Sequence, residues 1–354
     1  LATFGAGTNG LEAEERLQTD GLTIGHWPQS IDLSTVGGWV ATRASGPYST
    51  AAGNIEDVVH SLEAVLADGS IYRSRATPRA AAGPDLRHLL LGSEGILGVV
   101  TEVTFSLRPG PEPGVRQAFH FAEFADGLDA IREVMRVGWR PPVVRLYDGR
   151  ESWRHFRDQL PKGDSMLIFL HEGPPGLAPL QAAAVADICG ARNGSAASAE
   201  VVDAWFEDRN TVPTWDELLA QGVVADTVEV ATDWTRLPRL YDAVIAALEA
   251  VPGVVAASAH SSHAYRSGAN LYFTLAASPA DPDAYTWTSS ACWAGALRAA
   301  ADVGAGLAHH HGVGRVRRDW MTTELGSAGI AALRAVKQGL DPDGLTNPGV
   351  QRPE

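Results

Sequence analysis

The residues best suited to chemistry are three consecutive imidazoles, His309, His310 and His311, with Arg145 inside the run VVRLY and Tyr272 inside ANLYF. Imidazoles titrate near neutrality and serve as general acids, general bases or metal ligands. Read as a strand, the run puts His309 and His311 on one face and His310 on the other. Two imidazoles on one face need further ligands to hold zinc, and His260 or His263 could supply them. No carboxylate spacing supports a metal site, so no metal is expected and acid–base work is the simpler chemistry. A guanidinium within a strand is costly to bury unpaired, so Arg145 should face an anion or a carboxylate. A tyrosine in an apolar strand is usually a core residue with a satisfied hydroxyl, and Tyr272 taken alone reads that way. His26, between Gly25 and Trp27, could equally be a packed turn residue.

These groups need a scaffold, and 354 residues are too many for one ordinary core, so two lobes are expected. The chain is 45% hydrophobic and 20% charged, a globular balance, and its net charge of −14 argues against a nucleic acid or an anionic membrane surface as partner. Two cysteines, Cys189 and Cys292, make neither a disulfide framework nor a thiolate zinc site, and suggest a reducing, cytoplasmic setting. No apolar run is long enough to span a bilayer. The small-molecule or lipid substrate of an enzyme, and a second copy in a homodimer, are the partners left.

Along the chain, 55–67 reads as a helix or strand-edge element and 70–73 as a strand after the turn Asp68–Gly69. Residues 99–108 alternate, with Val103, Phe105 and Leu107 on one face. The run PGPEPG at 109–114 marks a domain boundary. Beyond it, helical spacing over 127–137, 180–189, 237–250 and 284–301 mixes with strands at 143–147, 166–170, 253–259 and 270–275. This order suggests an antiparallel sheet with helices over one face, an α+β arrangement. Another helix is expected near 328–339.

Two stretches mix glycine with small hydroxyl residues. PQSIDLSTVGGWVATRASGP, 28–47, lacks a helix or strand period and reads as a loop, yet it carries Val36, Trp39 and Val40. GSEGILGV, 92–99, has three glycines directly before a strand. Such stretches let backbone N–H groups approach an anionic ligand such as a pyrophosphate, or form ordinary ordered turns. The phosphate loop GxxxxGK[ST] and the nucleophile elbow GxSxG are both missing.

The order of these motifs is more specific than any one of them. GHWPQS at 25–30, STVGGW at 34–39, TRASG at 42–46, GNIED at 53–57 and GSEG at 92–95 follow in register. HHHGVG at 309–314 and the closing DPDGLTNPG at 341–349 complete the series. Together they resemble the vanillyl-alcohol oxidase superfamily with its PCMH-type FAD-binding domain, and within it alkyldihydroxyacetonephosphate synthase and bacterial FAD-linked oxidases. The resemblance covers essentially the whole chain. It implies that residues 1–108 are the second subdomain of the FAD-binding lobe, 109–303 a cap with an antiparallel sheet covered by helices, and 304–354 a segment returning to the flavin. It also implies that the first half of the FAD domain precedes this chain.

What the resemblance implies for the site is equally definite. FAD contacts fall on Gln29, Ser30, Ile31, Asp32, Leu33, Ser34 and Thr35, then on Thr42, Arg43, Ala44 and Ser45. A third set comprises Glu94, Gly95, Ile96, Leu97, Gly98, Val99 and Val100, and Asn347 completes them. Tyr272 matches the family's proton acceptor, Arg145 an arginine needed for activity, His26 a histidine near the flavin, and His309–His311 the active-site histidine run. The implied reaction exchanges the acyl group of acyl-dihydroxyacetonephosphate for a fatty alcohol, in ether-lipid biosynthesis, with the flavin carrying the hard step. Trp215 stands where the family has a substrate-binding arginine, and indole cannot clamp a phosphate. That departure favours an alternative, FAD-linked oxidation of a hydroxy acid or alcohol. A third alternative is a truncated, non-catalytic remnant.

Overall fold

A computed structural model of the chain describes residues 1–111, 114–209, 214–279 and 281–351, and not the side chains of Trp215 and Pro282. It separates into two units, Leu1–Gly110 with His310–Glu354, and Pro111–His309.

The first unit holds β1 (Ala2–Gly5), β2 (Leu22–Thr23), β3 (Val59–Val65), β4 (Ile71–Arg73), β5 (Val99–Phe105) and β6 (Arg108–Pro109). Four of them make an antiparallel sheet in the order β1-β5-β3-β4, and β2 pairs with β6. On β5 the alternation works as expected, with Val103 and Phe105 fully buried. Segment 55–67 is two elements, the short helix Ile55–Val58 and then β3. The Asp57 carboxylate accepts the Asn54 N–H at 2.9 Å and so caps that helix.

The stretch 28–47 departs from the loop expected of it, since Val36–Thr42 is a helix. Its two glycines hide the period, but the end signals are local. The Thr35 hydroxyl accepts the Gly38 N–H at 3.2 Å, and Arg43 closes the helix in the left-handed conformation, φ 58°. Val36, Trp39 and Val40 all enter the core. Gly10 makes room for the indole, because a Cβ there would fall 2.1 Å from Trp39 Cζ2. The same core takes in Val350, with Leu333, Val336 and Leu340 of the helix Met321–Leu340 packed against it.

The second unit is built on seven strands, β7 (Val115–Phe121), β8 (Val143–Tyr147), β9 (Ser165–His171), β10 (Ser195–Ala197), β11 (Val224–Asp233), β12 (Val254–Ser261) and β13 (Gly268–Ala277). They form one antiparallel sheet in the order β10-β7-β9-β8-β12-β13-β11. Every residue of β9 is buried, so both faces are covered at that strand rather than one. His171 bonds Gln181 of the helix Leu177–Gly190 on one face. Arg145 meets Trp205 of the helix Glu200–Asp208 on the other.

Residues 304–309 belong to the second unit, not to a returning segment that starts at 304. Gly306 and Ala231 of β11 exchange both backbone hydrogen bonds, at 2.8 and 3.2 Å. The histidine run is also not a strand but a bend, because Gly312 and Gly314 follow it at φ 74° and 52°. Among the described residues no helix is long and apolar enough to cross a membrane.

Candidate active site

In the second unit, strand register sets out a row of polar side chains on one sheet face. Tyr147 pairs with His260, His260 with Tyr272, and Tyr272 with Glu229. Directly paired residues share a face, and Arg145, two residues from Tyr147, shares it too. Four strands therefore contribute Arg145, Tyr147, His260, Tyr272 and Glu229 to one surface. The opposite face of β13, Leu271, Phe273 and Leu275, is packed solid.

The contacts along this row are close. Arg145 Nη2 lies 2.7 Å from His260 Nε2, and His260 Nδ1 lies 3.0 Å from Glu151 Oε1. The His260 ring stacks on Tyr272 with centroids 4.7 Å apart and planes 19° from parallel. The Arg145 guanidinium lies 5.1 Å from the Tyr147 ring centroid and 5.8 Å from that of Trp205, so aromatic faces box it. Its Nε is buried with no hydrogen-bond partner among the described residues. At the far end, Glu229 Oε2 accepts the His309 N–H at 2.7 Å, and the His309 Nε2 lies 2.8 Å from the Tyr265 hydroxyl.

Burial sets the electrostatics. It pulls the His260 imidazole down to about 4, with the Arg145 charge adding to the effect, so the ring is neutral at pH 7. Burial alone would lift the Glu151 carboxyl, but His260, Arg154 and Arg145 more than offset it, and Glu151 stays ionised. Tyr272 is raised, chiefly by burial, so it stands as a neutral hydroxyl.

The first unit contains a separate cleft of about 340 Å³, lined by Ala6, Gly7, Thr35, Gly37, Gly38, Ala41, Ser93, Gly95, Gly98, Val99 and Val100. None of these residues is larger than valine, so a ligand there meets main chain. Of the expected cofactor contacts, Thr35, Gly95, Gly98, Val99 and Val100 line this cleft. Ile31, Ile96 and Leu97 lie in the core instead, and Leu33 is 84% exposed. Arg43 pairs with Glu56 at 3.1 Å, and the Ser45 hydroxyl donates to Asn54 Oδ1 at 2.8 Å. The Glu94 carboxylate is spent on the N–H groups of Val313 and Gly314, at 2.5 and 2.7 Å, and its carbonyl accepts from Asn347. His26 is buried edge-on against Trp39, and neither ring nitrogen has a partner among the described residues. Burial pushes it down to about 3. His310 and His311 belong to this unit, their rings 4.4 Å apart.

Sequence reasoning singled out Arg145, Tyr272 and His309 but missed Glu151 and Glu229, and knew His260 only as a possible metal ligand. The available signal was Arg145 itself, whose strand position demanded a carboxylate nearby. Segment 210–213 lies outside the described residues, and so does the Trp215 side chain, where the substitution for a family arginine was expected.

Comparison with known proteins agrees with this architecture. Residues 111–350 match the family described as FAD linked oxidases, C-terminal domain, and residues 1–75 match the family described as FAD binding domain. An uncharacterised FAD-linked oxidoreductase of Escherichia coli K12 is 34% identical over 96% of this chain and 73% of its own length. The alkyldihydroxyacetonephosphate synthase of Caenorhabditis elegans is 31% identical over 95% of this chain. A solved alkyldihydroxyacetonephosphate synthase superposes with a TM-score of 0.76 at 25% identity, over 98% of this chain. The chain spans 62% of the nematode synthase and 63% of the solved one. With a C-terminal-domain match over two thirds of its residues and an FAD-binding match at its start, the chain belongs to the FAD-linked oxidase family, and FAD is its cofactor.

Proposed function

We propose that this protein is an FAD-dependent enzyme of the alkyldihydroxyacetonephosphate synthase type, which exchanges the acyl group of acyl-dihydroxyacetonephosphate for a fatty alcohol. The observation that carries this reading is the row Arg145–His260–Tyr272 on one sheet face, a fixed cation beside a hydroxyl that can pass a proton. The first unit fits the cofactor on two observations. Its cleft is walled by main chain and small side chains, and His26 keeps two buried ring nitrogens without partners among the described residues. Thr35, Gly95, Gly98, Val99 and Val100 would hold FAD there, and bound FAD supplies an electron-accepting ring.

The chain's own residues then divide the remaining work. Arg145 stabilises negative charge that grows on a substrate as its proton leaves. Tyr272 acts as a hydroxyl relay rather than a standing phenolate, because burial holds its proton on. Glu229 fixes the main chain at His309, whose ring meets Tyr265. A second reading, FAD-linked oxidation of a hydroxy acid or alcohol, draws support from Trp215 in the family's arginine position and from the E. coli relative.

The test is to incubate the FAD-loaded protein with palmitoyl-dihydroxyacetonephosphate and labelled hexadecanol, and to measure label in the ether product. Turnover without lasting loss of flavin absorbance supports exchange. No ether product, together with anaerobic flavin bleaching by a 2-hydroxy acid, would replace this reading with the second.

A further inference from the structure

We infer that Glu151 and His260 form a two-residue positioning relay that orients the Arg145 guanidinium and the Tyr272 ring together. This rests on the proposed role of those two groups in the reaction. The relay follows from hydrogen-bond chemistry. A guanidinium carries donors only, so the 2.7 Å contact from Arg145 Nη2 makes His260 Nε2 an acceptor. A neutral imidazole with an accepting Nε2 carries its proton on Nδ1. That proton points at Glu151 Oε1, 3.0 Å away, and the carboxylate is a pure acceptor. Glu151 therefore selects the tautomer, and the tautomer selects the direction of Arg145.

Each member is itself held. Glu151 sits in the first turn of the helix Gly149–Phe156, where its N–H donates to the capping carboxylate of Asp148 at 2.8 Å. Its second oxygen, Oε2, accepts from the Ser258 hydroxyl at 3.3 Å, and Arg154 stands 3.1 Å from Oε1. His260 and Glu151 are almost wholly buried, at 6% and 4% side-chain exposure, so water does not compete for either bond. With Nη2 engaged by His260 and both Tyr147 and Trp205 against it, Arg145 retains the buried Nε as a donor with no acceptor among the described residues. The stacked face of the same imidazole fixes the plane of Tyr272. Glu151 touches no reacting atom in this scheme. It works through His260.

The test begins with the ring itself. Long-range ¹⁵N–¹H correlation spectra of histidine-labelled protein at pH 7, with His260→Gln to identify the signal, should show a neutral ring protonated on Nδ1. A proton on Nε2, or a charged ring, overturns the proposal whatever the protein catalyses. The functional arm compares Glu151→Gln with Glu151→Leu in the FAD-loaded protein. Glu151→Leu should lower kcat for ether formation by about 100-fold, the scale of losing orientation by an ångström, with KM within about threefold. Glu151→Gln keeps an acceptor for Nδ1–H and should recover to within about tenfold of wild type at unchanged Tm. Equal losses in both variants, or a loss confined to KM, refute the relay. If wild type forms no ether product, the proposed reaction fails, and the tautomer alone decides the relay.

Discussion

His171 offers a quantitative check on burial in the second unit. Its ring is fully buried on β9, with Nδ1 3.0 Å from the Gln181 side chain and Nε2 2.9 Å from that of Gln117. A neutral ring donates at one nitrogen and accepts at the other, so one amide turns its NH2 toward it. Burial pulls this histidine from 6.5 down to about 4. The unfolded chain therefore takes up a proton between these values and the native protein does not, so stability falls as pH drops from 6.5 toward 4 and levels off below. At pH 5 the difference is 1.5 pH units at about 1.4 kcal/mol each, about 2 kcal/mol, while at pH 7 it is close to zero. Replacing the ring removes this slope. Urea unfolding of wild type and His171→Asn, followed by tryptophan fluorescence at pH 7, 6 and 5, should show the variant less stable at pH 7. The gap should then narrow by about 2 kcal/mol at pH 5. Burial pushes the adjacent Glu172 up to about 7, with an opposite trend, but that contribution is common to both proteins and cancels. Parallel curves for the two proteins would mean that His171 is solvated or charged in the native state, and the reasoning would fail.

Three further outcomes follow from the geometry. Glu94→Gln weakens two charge-assisted bonds to the loop after the histidine run, at about 1–3 kcal/mol, and hydrogen exchange at Val313 and Gly314 should quicken accordingly. Gly149→Ala places a Cβ 2.0 Å from the Gly163 carbonyl oxygen, so the helix bearing Glu151 must shift. A loss of about 1–3 kcal/mol in chemical denaturation checks it, and wild-type stability would show that the loop yields freely. Tyr272→Phe keeps the stack on His260 and removes only the hydroxyl. Ether formation should fall by at least about 100-fold at unchanged FAD content, and retained turnover would remove Tyr272 from the proton path.

What could be read beforehand was whatever depends on neighbours in sequence. β8 coincides with the segment 143–147, and β9 and β13 extend the apolar runs at 166–170 and 270–275 by a few residues. The helix Val36–Thr42 was invisible because Gly37 and Gly38 depress helix propensity, and its stability comes from burying Trp39 and from its caps. The bend at His309–His311 turned on two left-handed glycines that follow it, which an alternating count does not register. The Glu151–His260–Arg145 cluster was out of reach for another reason. It exists only because β8 lies beside β12, more than 100 residues away along the chain, and no local period reports which strands become neighbours.

The first unit is discontinuous, and this has a consequence for the order of assembly. All of Pro111–His309 lies between the two pieces of that unit, and Val350, Leu333, Val336 and Leu340 complete a core whose other members come from Ala2 to Leu107. On the ribosome, every strand of the second unit is synthesised before those closing residues exist. The inserted unit can therefore fold while its host still waits for its last piece. Until then, the part of that core which the closing residues cover stays open, which is the interval in which a nascent chain is most exposed to aggregation and chaperone capture.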